Sequence, residues 1–292
     1  MTIGVFDSGL GGLTILRDIA SYIPDHKFIY YGDNLNAPYG ELCDETIYKN
    51  TLSGVKFLFN KECSLVILAC NTASAVALRR LQNEWLPYNG VHKKRILGIF
   101  VPVIENITGI CWTYNNNGIT VTPEDGKDND ISTVGLFATP ATVNSKAFER
   151  ETSIRKPSIR IKSQACGGLV EAIEQGNVSK AHNLIEQYVH SMYSGANPDI
   201  IVLGCTHYPI MIDYFRKLIP YNTKILNQGI IVAKSCVEYL KKHRLIFPPD
   251  ISTCTYNKPH INFYTSDNTD RISQIASLFY KDSPVFQQIS ST

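Results

Sequence analysis

Two cysteines stand in matching surroundings. In SLVILACNTASAVAL (Ser64 to Leu78) an apolar run, Leu65 to Ala69, ends in Cys70, Asn71 and Thr72 before a helix-like Ala/Leu stretch. In DIIVLGCTHYPIMI (Asp199 to Ile212) another apolar run ends in Cys205, Thr206 and His207. Short apolar runs bounded by small and polar residues read as buried strands, so each cysteine is delivered at a strand's carboxyl end. A thiol with an ordinary pKa of roughly 8.5 serves as thiolate base or thiol acid near neutral pH. Two thiols facing each other across one cleft suit inversion of a stereocentre that carries an acidic hydrogen. One side removes the proton, the other returns it, and the reverse reaction exchanges their roles. A helix N-terminus directly after each cysteine would favour the thiolate.

Open α/β sheets bind ligands beyond the carboxyl ends of their strands, which singles out further groups. They are Asp7-Ser8-Gly9 after IGVF, the loop Ala37–Gly40 (APYG) after FIYYG, and Thr139 with Thr142 after VGLF. Hydroxyls, amides and backbone N–H groups at helix N-termini hold carboxylates without added positive charge. Asp7 suits an ammonium group or the orientation of a thiol. His207, two residues beyond Cys205, suits tuning that thiol or polarising a substrate. Asp7, Asn71 and Thr72 also have the chemistry of helix N-caps. The run Gly9–Gly12 lacks both the Lys-Ser/Thr of a Walker motif and the G-x-G-x-x-G spacing, and reads as a tight strand-to-helix turn.

The elements that must position these groups alternate. Ile3–Phe6 is followed by a helix over Leu13–Tyr22, then Phe28–Gly32 and an amphipathic stretch over Glu45–Phe59. The Leu65–Ala69 strand, a helix to about Trp85 and the run Arg95–Phe100 follow. Continuous apolar strands separated by helices indicate a parallel sheet covered on both faces, the doubly wound α/β pattern. The pattern then restarts: TVGLFATPATVNS (Thr133–Ser145) matches TIGVFDSGLGGLT (Thr2–Thr14), and each leads to a cysteine-ended strand further on. This predicts two similar parallel-sheet domains, related by a pseudo-two-fold, with the site in the cleft between them. The expected division is 1–98 with 208–292 for one domain and 99–207 for the other. The Asn/Asp/Gly-rich stretch Thr113–Ser132 reads as an exposed loop, and Pro248–His260 as another. INFYTS and a helix over Thr269–Tyr280 close the chain.

Composition narrows the function classes. The chain has 292 residues, 44% of them hydrophobic, enough for a packed core in two domains. A net charge of +2 sets up no strong field for nucleic acid or membrane. The basic clusters Arg155-Lys156 with Arg160 and Lys162, and Lys241 to Arg244, read as solvated surface. No targeting segment or membrane-length apolar run is visible, so a cytoplasmic protein is expected. None of the eight cysteines forms a C-x-x-C pair or zinc-finger spacing, and neither a metal site nor a disulfide framework is expected.

The segments GVFDSGLGGLTIL, YYGDNLNAPYG, LACNTASAVAL, VGLFATPATVNS and VLGCTHYPIM, in this order, resemble the signature segments of glutamate racemases. These belong to the cofactor-independent aspartate/glutamate racemase superfamily. A weaker likeness continues through FYTSDNTDRISQIASLF. The resemblance implies interconversion of L- and D-glutamate for peptidoglycan and the cell wall, with no pyridoxal phosphate and no metal. It implies Cys70 and Cys205 as the acid/base pair, assisted by Asp7, His207 and Glu174. The last is placed by aligning Cys166 and Gly176 with the family's segment, which excludes Glu171. Glutamate binding would fall to Asp7, Ser8, Pro38, Tyr39, Gly40, Asn71, Thr72, Thr139, Thr142, Thr206 and His207. The chain departs from the pattern at Asn36, Cys43, Ala138, Gly167, Glu171 and Asn227, none of them a proposed catalytic group. No N-terminal extension of the kind that carries activator contacts in some members is expected. The expected partners are glutamate and a second copy in a homodimer, with no nucleic acid and no membrane. Aspartate racemisation, and a non-catalytic regulator retaining the fold, are the alternatives.

Overall fold

The computed structural model describes residues 1–89, 93–115, 118–123, 131–243, 259–280 and 284–289. The first apolar runs form strands β1 (Thr2–Asp7), β2 (Lys27–Gly32), β3 (Leu65–Leu68) and β4 (Arg95–Gly98). An antiparallel ribbon, β5 (Ile110–Asn115) with β6 (Gly118–Pro123), follows. The restarted pattern supplies β7 (Thr133–Ala138), β8 (Arg160–Ala165), β9 (Ile200–Gly204) and β10 (Lys224–Leu226). The chain then returns to the first sheet with β11 (His260–Thr265) and β12 (Phe286–Gln288).

The repeat is explicit in the strand order. The first sheet runs β12-β11-β2-β1-β3-β4 and the second β10-β9-β7-β8. Numbered within its own half, each unit has the order second, first, third, fourth. All pairings in both sheets are parallel. Cys70 lies just beyond the third strand of the first unit and Cys205 just beyond the third strand of the second.

Strand parity explains the layers, because successive side chains point to opposite faces. Ile3, Val5, Tyr30, Leu65 and Ile67 pack with helices Gly12–Tyr22 and Gln228–Lys242. Their neighbours Phe6, Tyr31, Val66 and Leu68 pack on the other face with helix Asp44–Asn60. In the second sheet Phe137, Ile201 and Leu203 take one face, and Val134, Leu136, Ile200 and Val202 the other. Truncating a fully buried leucine, isoleucine or phenylalanine among them to alanine costs about 2–5 kcal/mol.

Four expectations are corrected. The Thr113–Ser132 loop is in part the β5–β6 hairpin, where backbone groups satisfy each other across the ribbon. The alternation in Ile110-Cys111-Trp112 and Ile119-Thr120-Val121, flanking an Asn-Gly cluster, was the strand signal. The second sheet also extends to Leu226, past residue 207, because β10 pairs with β9. Arg155 is not solvated: it is buried, with Nη1 donating to Glu151 Oε2 at 3.2 Å. The helix expected to reach Trp85 is broken into Asn71–Val76, Leu78–Arg80 and a π-turn over Leu81–Trp85. Cys254 and most of the Pro248–His260 loop lie outside the described residues. No helix among the described residues is long and apolar enough to cross a membrane.

Candidate active site

The carboxyl ends of β1, β3, β7 and β9 open onto one shared cavity. Cys70, Asn71 and Thr72 line it from the first lobe, and Cys205, Thr206 and His207 from the second. Ser8, Pro38, Gly40, Thr139 and Glu174 complete the expected set. Gly9 and Ala37, from the strand-end groups Asp7–Gly9 and Ala37–Gly40, line it as well, and Val170 lines it without having been singled out by sequence. Three expected residues stand behind the wall. Asp7 is wholly buried beneath the Gly9 turn. The Tyr39 ring is buried and its hydroxyl donates to Asp33 Oδ2 at 2.6 Å. Thr142 supports Thr139 and Thr72 from below.

Local chemistry explains how the strand ends are held. Cys70 itself is the N-cap of helix Asn71–Val76, its sulfur accepting from the Ala73 N–H at 3.4 Å. Asn71 and Thr72 are thereby freed from capping. Thr139 caps helix Pro140–Asn144 in the same way. The hydroxyls of Thr72, Thr139 and Thr142 form a ring across the two lobes, with oxygen separations of 3.0, 3.0 and 3.3 Å. The Gly9–Gly12 turn is pinned by Tyr30, whose hydroxyl donates to the Gly9 carbonyl at 2.8 Å. Glycine is needed at Gly11, where a Cβ would lie 2.3 Å from Thr206 Oγ1 and 2.7 Å from His207 Nδ1. It is needed again at Gly40, where a Cβ would lie 2.7 Å from Thr139 Cβ.

The two thiols have different partners. Cys70 Sγ is 3.2 Å from Ser8 Oγ. Burial, then the nearby Asp7 carboxylate, pushes the Cys70 thiol up to about 12, against the opposing Ser8 and Ala73 hydrogen bonds. The expected preference for a thiolate is therefore reversed at Cys70, because desolvation outweighs the helix end. Asp7 is itself raised by burial, opposed by the His207 charge and the Gly12 and Gly9 amides. Its Oδ2 accepts from the Gly9 N–H at 3.1 Å, while Oδ1 has no hydrogen-bond partner among the described residues. On the other side Cys205 Sγ lies 3.9 Å from His207 Nδ1, and His207 Nε2 lies 2.8 Å from Glu174 Oε1. Burial alone would lower His207, but hydrogen bonds to Cys205 and Glu174 hold it well above the usual histidine range. Burial would raise Glu174, but the His207 hydrogen bond and charge keep it below the usual glutamate value. No regular helix starts directly after Cys205: a 3-10 turn over Tyr208–Met211 comes first.

Strand-end logic applied throughout would have found two more residues. Asp33, after β2, accepts from Tyr39, Asn36 and Ser266 and so fixes the APYG loop. Gln228, after β10, pairs with Asn71. No group of three or more His, Cys, Asp or Glu among the described residues is arranged to hold a metal ion.

Fold and site together define a two-lobed, doubly wound α/β protein with one buried thiol from each lobe in a shared cleft. No family model matches the chain. It is 45% identical over 244 residues to the glutamate racemase of Dinoroseobacter shibae, covering 83% of this chain and 85% of that protein. It is 40% identical over 288 residues to that of a Ruegeria species, covering 98% of this chain and 99% of that one. Its fold superposes on the crystal structure of Francisella tularensis glutamate racemase in complex with D-glutamate. The TM-score is 0.80 at 28% identity, covering 99% of this chain and 97% of that one. The chain belongs to the glutamate racemase family.

Proposed function

We propose that this chain interconverts L- and D-glutamate through two opposed thiols, Cys70 and Cys205. The observation that carries this reading is the pair of buried cysteines, one from each repeat, lining the same cavity. One thiolate removes the α-proton and forms an S–H bond. The electron pair stays on the α-carbon until the opposite thiol delivers its proton to the other face. By family likeness, Cys205 takes the proton from L-glutamate and Cys70 from D-glutamate.

The other groups fit assisting roles. His207, held protonated by Glu174, would balance negative charge at Cys205. The raised Cys70 thiol rests in its acid form and is ready to donate. An arriving substrate ammonium would offset the Asp7 charge and ease formation of the Cys70 thiolate. Ser8, Asn71, Thr72, Thr139, Thr206 and the Pro38–Gly40 loop would hold the carboxylates, with Tyr39 and Thr142 supporting them from behind. The two sheets support a division into two domains with the cleft between them. A homodimer in the cytoplasm, supplying D-glutamate to peptidoglycan, completes the proposal.

The test is incubation of the purified chain with either enantiomer in D2O. Optical rotation should decay to zero while the α-proton signal disappears. Rotation that persists would overturn the activity. Aspartate should turn over poorly, because one methylene and a misplaced carboxylate cost about 1–3 kcal/mol or more in such a site. Equal rates with aspartate would replace glutamate as the substrate.

A further inference from the structure

We propose that Gln228 is a positioning residue that sets the Asn71 amide for the substrate, an inference that rests on the function proposed above. The two side chains form a reciprocal pair: Asn71 Nδ2 donates to Gln228 Oε1 at 3.1 Å and Gln228 Nε2 donates to Asn71 Oδ1 at 2.9 Å. Both residues are buried, at 2% and 5% exposure, so water is a poor substitute for either partner. Asn71 lines the cavity directly beside Cys70. A primary amide has two N–H donors and two acceptor sites on its oxygen. The pair uses one of each, which fixes the amide plane and leaves one N–H and one lone pair for a ligand.

Gln228 is a rigid template because its own backbone is held twice. It opens the helix Gln228–Lys242, and Asn227 caps that helix by accepting from the Ile230 N–H at 3.2 Å. The next residue, Gly229, sits flush on helix Gly12–Tyr22: a Cβ there would lie 2.0 Å from Asp18 Oδ2. The segment that carries Gln228 comes directly from β10 of the second sheet. The amide pair therefore ties the substrate-facing end of β3 to the chain crossing between the sheets. With Gln228 removed, Asn71 keeps its place on the helix but loses the partner that holds its side-chain torsion.

The experiment compares wild type, Gln228→Leu and Gln228→Glu for glutamate racemisation from pH 6 to 9, with melting temperatures alongside. Gln228→Leu keeps most of the volume and removes both hydrogen bonds. It should raise KM roughly tenfold while kcat changes less than about threefold, the pattern of lost ground-state positioning. In Gln228→Glu an ionised carboxylate accepts from Asn71 but donates nothing, while a protonated carboxyl restores the donor. Burial raises the pKa of such a group. The KM ratio of Gln228→Glu to wild type should therefore shrink toward one as pH falls. If Gln228→Leu does not fold, the KM of Gln228→Glu decides, and a KM equal to wild type at every pH overturns the proposal. Unchanged KM in both variants overturns it, whether or not the melting temperature drops. An inactive wild type overturns the proposed function and this inference together. An active wild type with unaffected variants overturns this inference alone.

Discussion

The Cys70 and Cys205 halves of the cleft have the same scaffold and different chemistry. Each thiol follows the third strand of a unit with the same strand order. Around Cys70 the neighbours are a hydroxyl, Ser8, and a fully buried carboxylate, Asp7. Around Cys205 the neighbours are an imidazole and, behind it, a second carboxylate. Duplicated backbone places two sulfurs, but the residues beside them decide how each handles a proton. The Cys70 side favours the neutral thiol, and the Cys205 side places a cation beside the sulfur. A reaction with chemically equivalent directions is thus served by two unlike faces.

Removal of either thiol has the largest expected effect. Cys70→Ala and Cys205→Ala should each reduce racemisation by about a thousandfold or more in both directions, since each direction needs both groups. With a glutamate analogue bearing a β-leaving group, abstraction alone suffices for elimination. Cys70→Ala should then still eliminate from the L-analogue, and Cys205→Ala from the D-analogue. If both variants process the same enantiomer, the opposed arrangement is wrong.

The partners should separate in the same assay. His207→Asn should slow elimination from the L-analogue about a hundredfold, and elimination from the D-analogue by less than about threefold. Ser8→Ala should show the reverse preference with a smaller loss, about tenfold on the D-analogue, as expected for one hydrogen bond to a developing thiolate. Equal effects of either substitution on both analogues would mean that the two halves act as one unit. Racemisation itself hides this asymmetry, because the equilibrium constant between enantiomers is one and kcat/KM must match in the two directions.

The smallest effect is on stability. His207 is held above its ordinary value in the folded chain by Cys205 and Glu174. Its contribution is complete below the unfolded histidine value of about 6.5 and fades as pH rises through the raised folded value. Glu174 is depressed, so its share is present above the unfolded glutamate value of about 4.3 and is lost as pH falls through the folded value. Between about pH 4.3 and 6.5 both contribute. The melting-temperature gap between wild type and His207→Asn should narrow from pH 6 to 9. A gap constant over that range would mean that His207 is not held protonated.

The continuous apolar runs separated by helices, such as Ile3–Phe6, and the restart of the pattern at Thr133 made the layers and the repeat legible. The β5–β6 hairpin was hidden because Asn- and Gly-rich composition masks alternation. The outermost strand β12 was hidden because Phe286–Gln288 is too short to carry a pattern. Most of the cavity lining was visible as strand-end residues. Gln228 and Asp33 also follow strands, but their roles were hidden because each depends on a distant partner: Asn71 is 157 residues from Gln228, and Ser266 is 233 from Asp33.

The local order of residues set which of them end each strand, and with it the placement of two thiols, an amide and several hydroxyls at carboxyl ends. Periodicity and residue size are local properties and can be read locally. Which of those groups are desolvated and which are paired was settled by long-range packing. It turned Cys70 from an expected thiolate into a buried thiol with a raised pKa, because loss of water depends on the far lobe closing over the strand end. It withdrew Asp7, Tyr39 and Thr142 behind the wall and brought Gln228 to Asn71, because burial and hydrogen-bond partnership depend on segments distant in the chain.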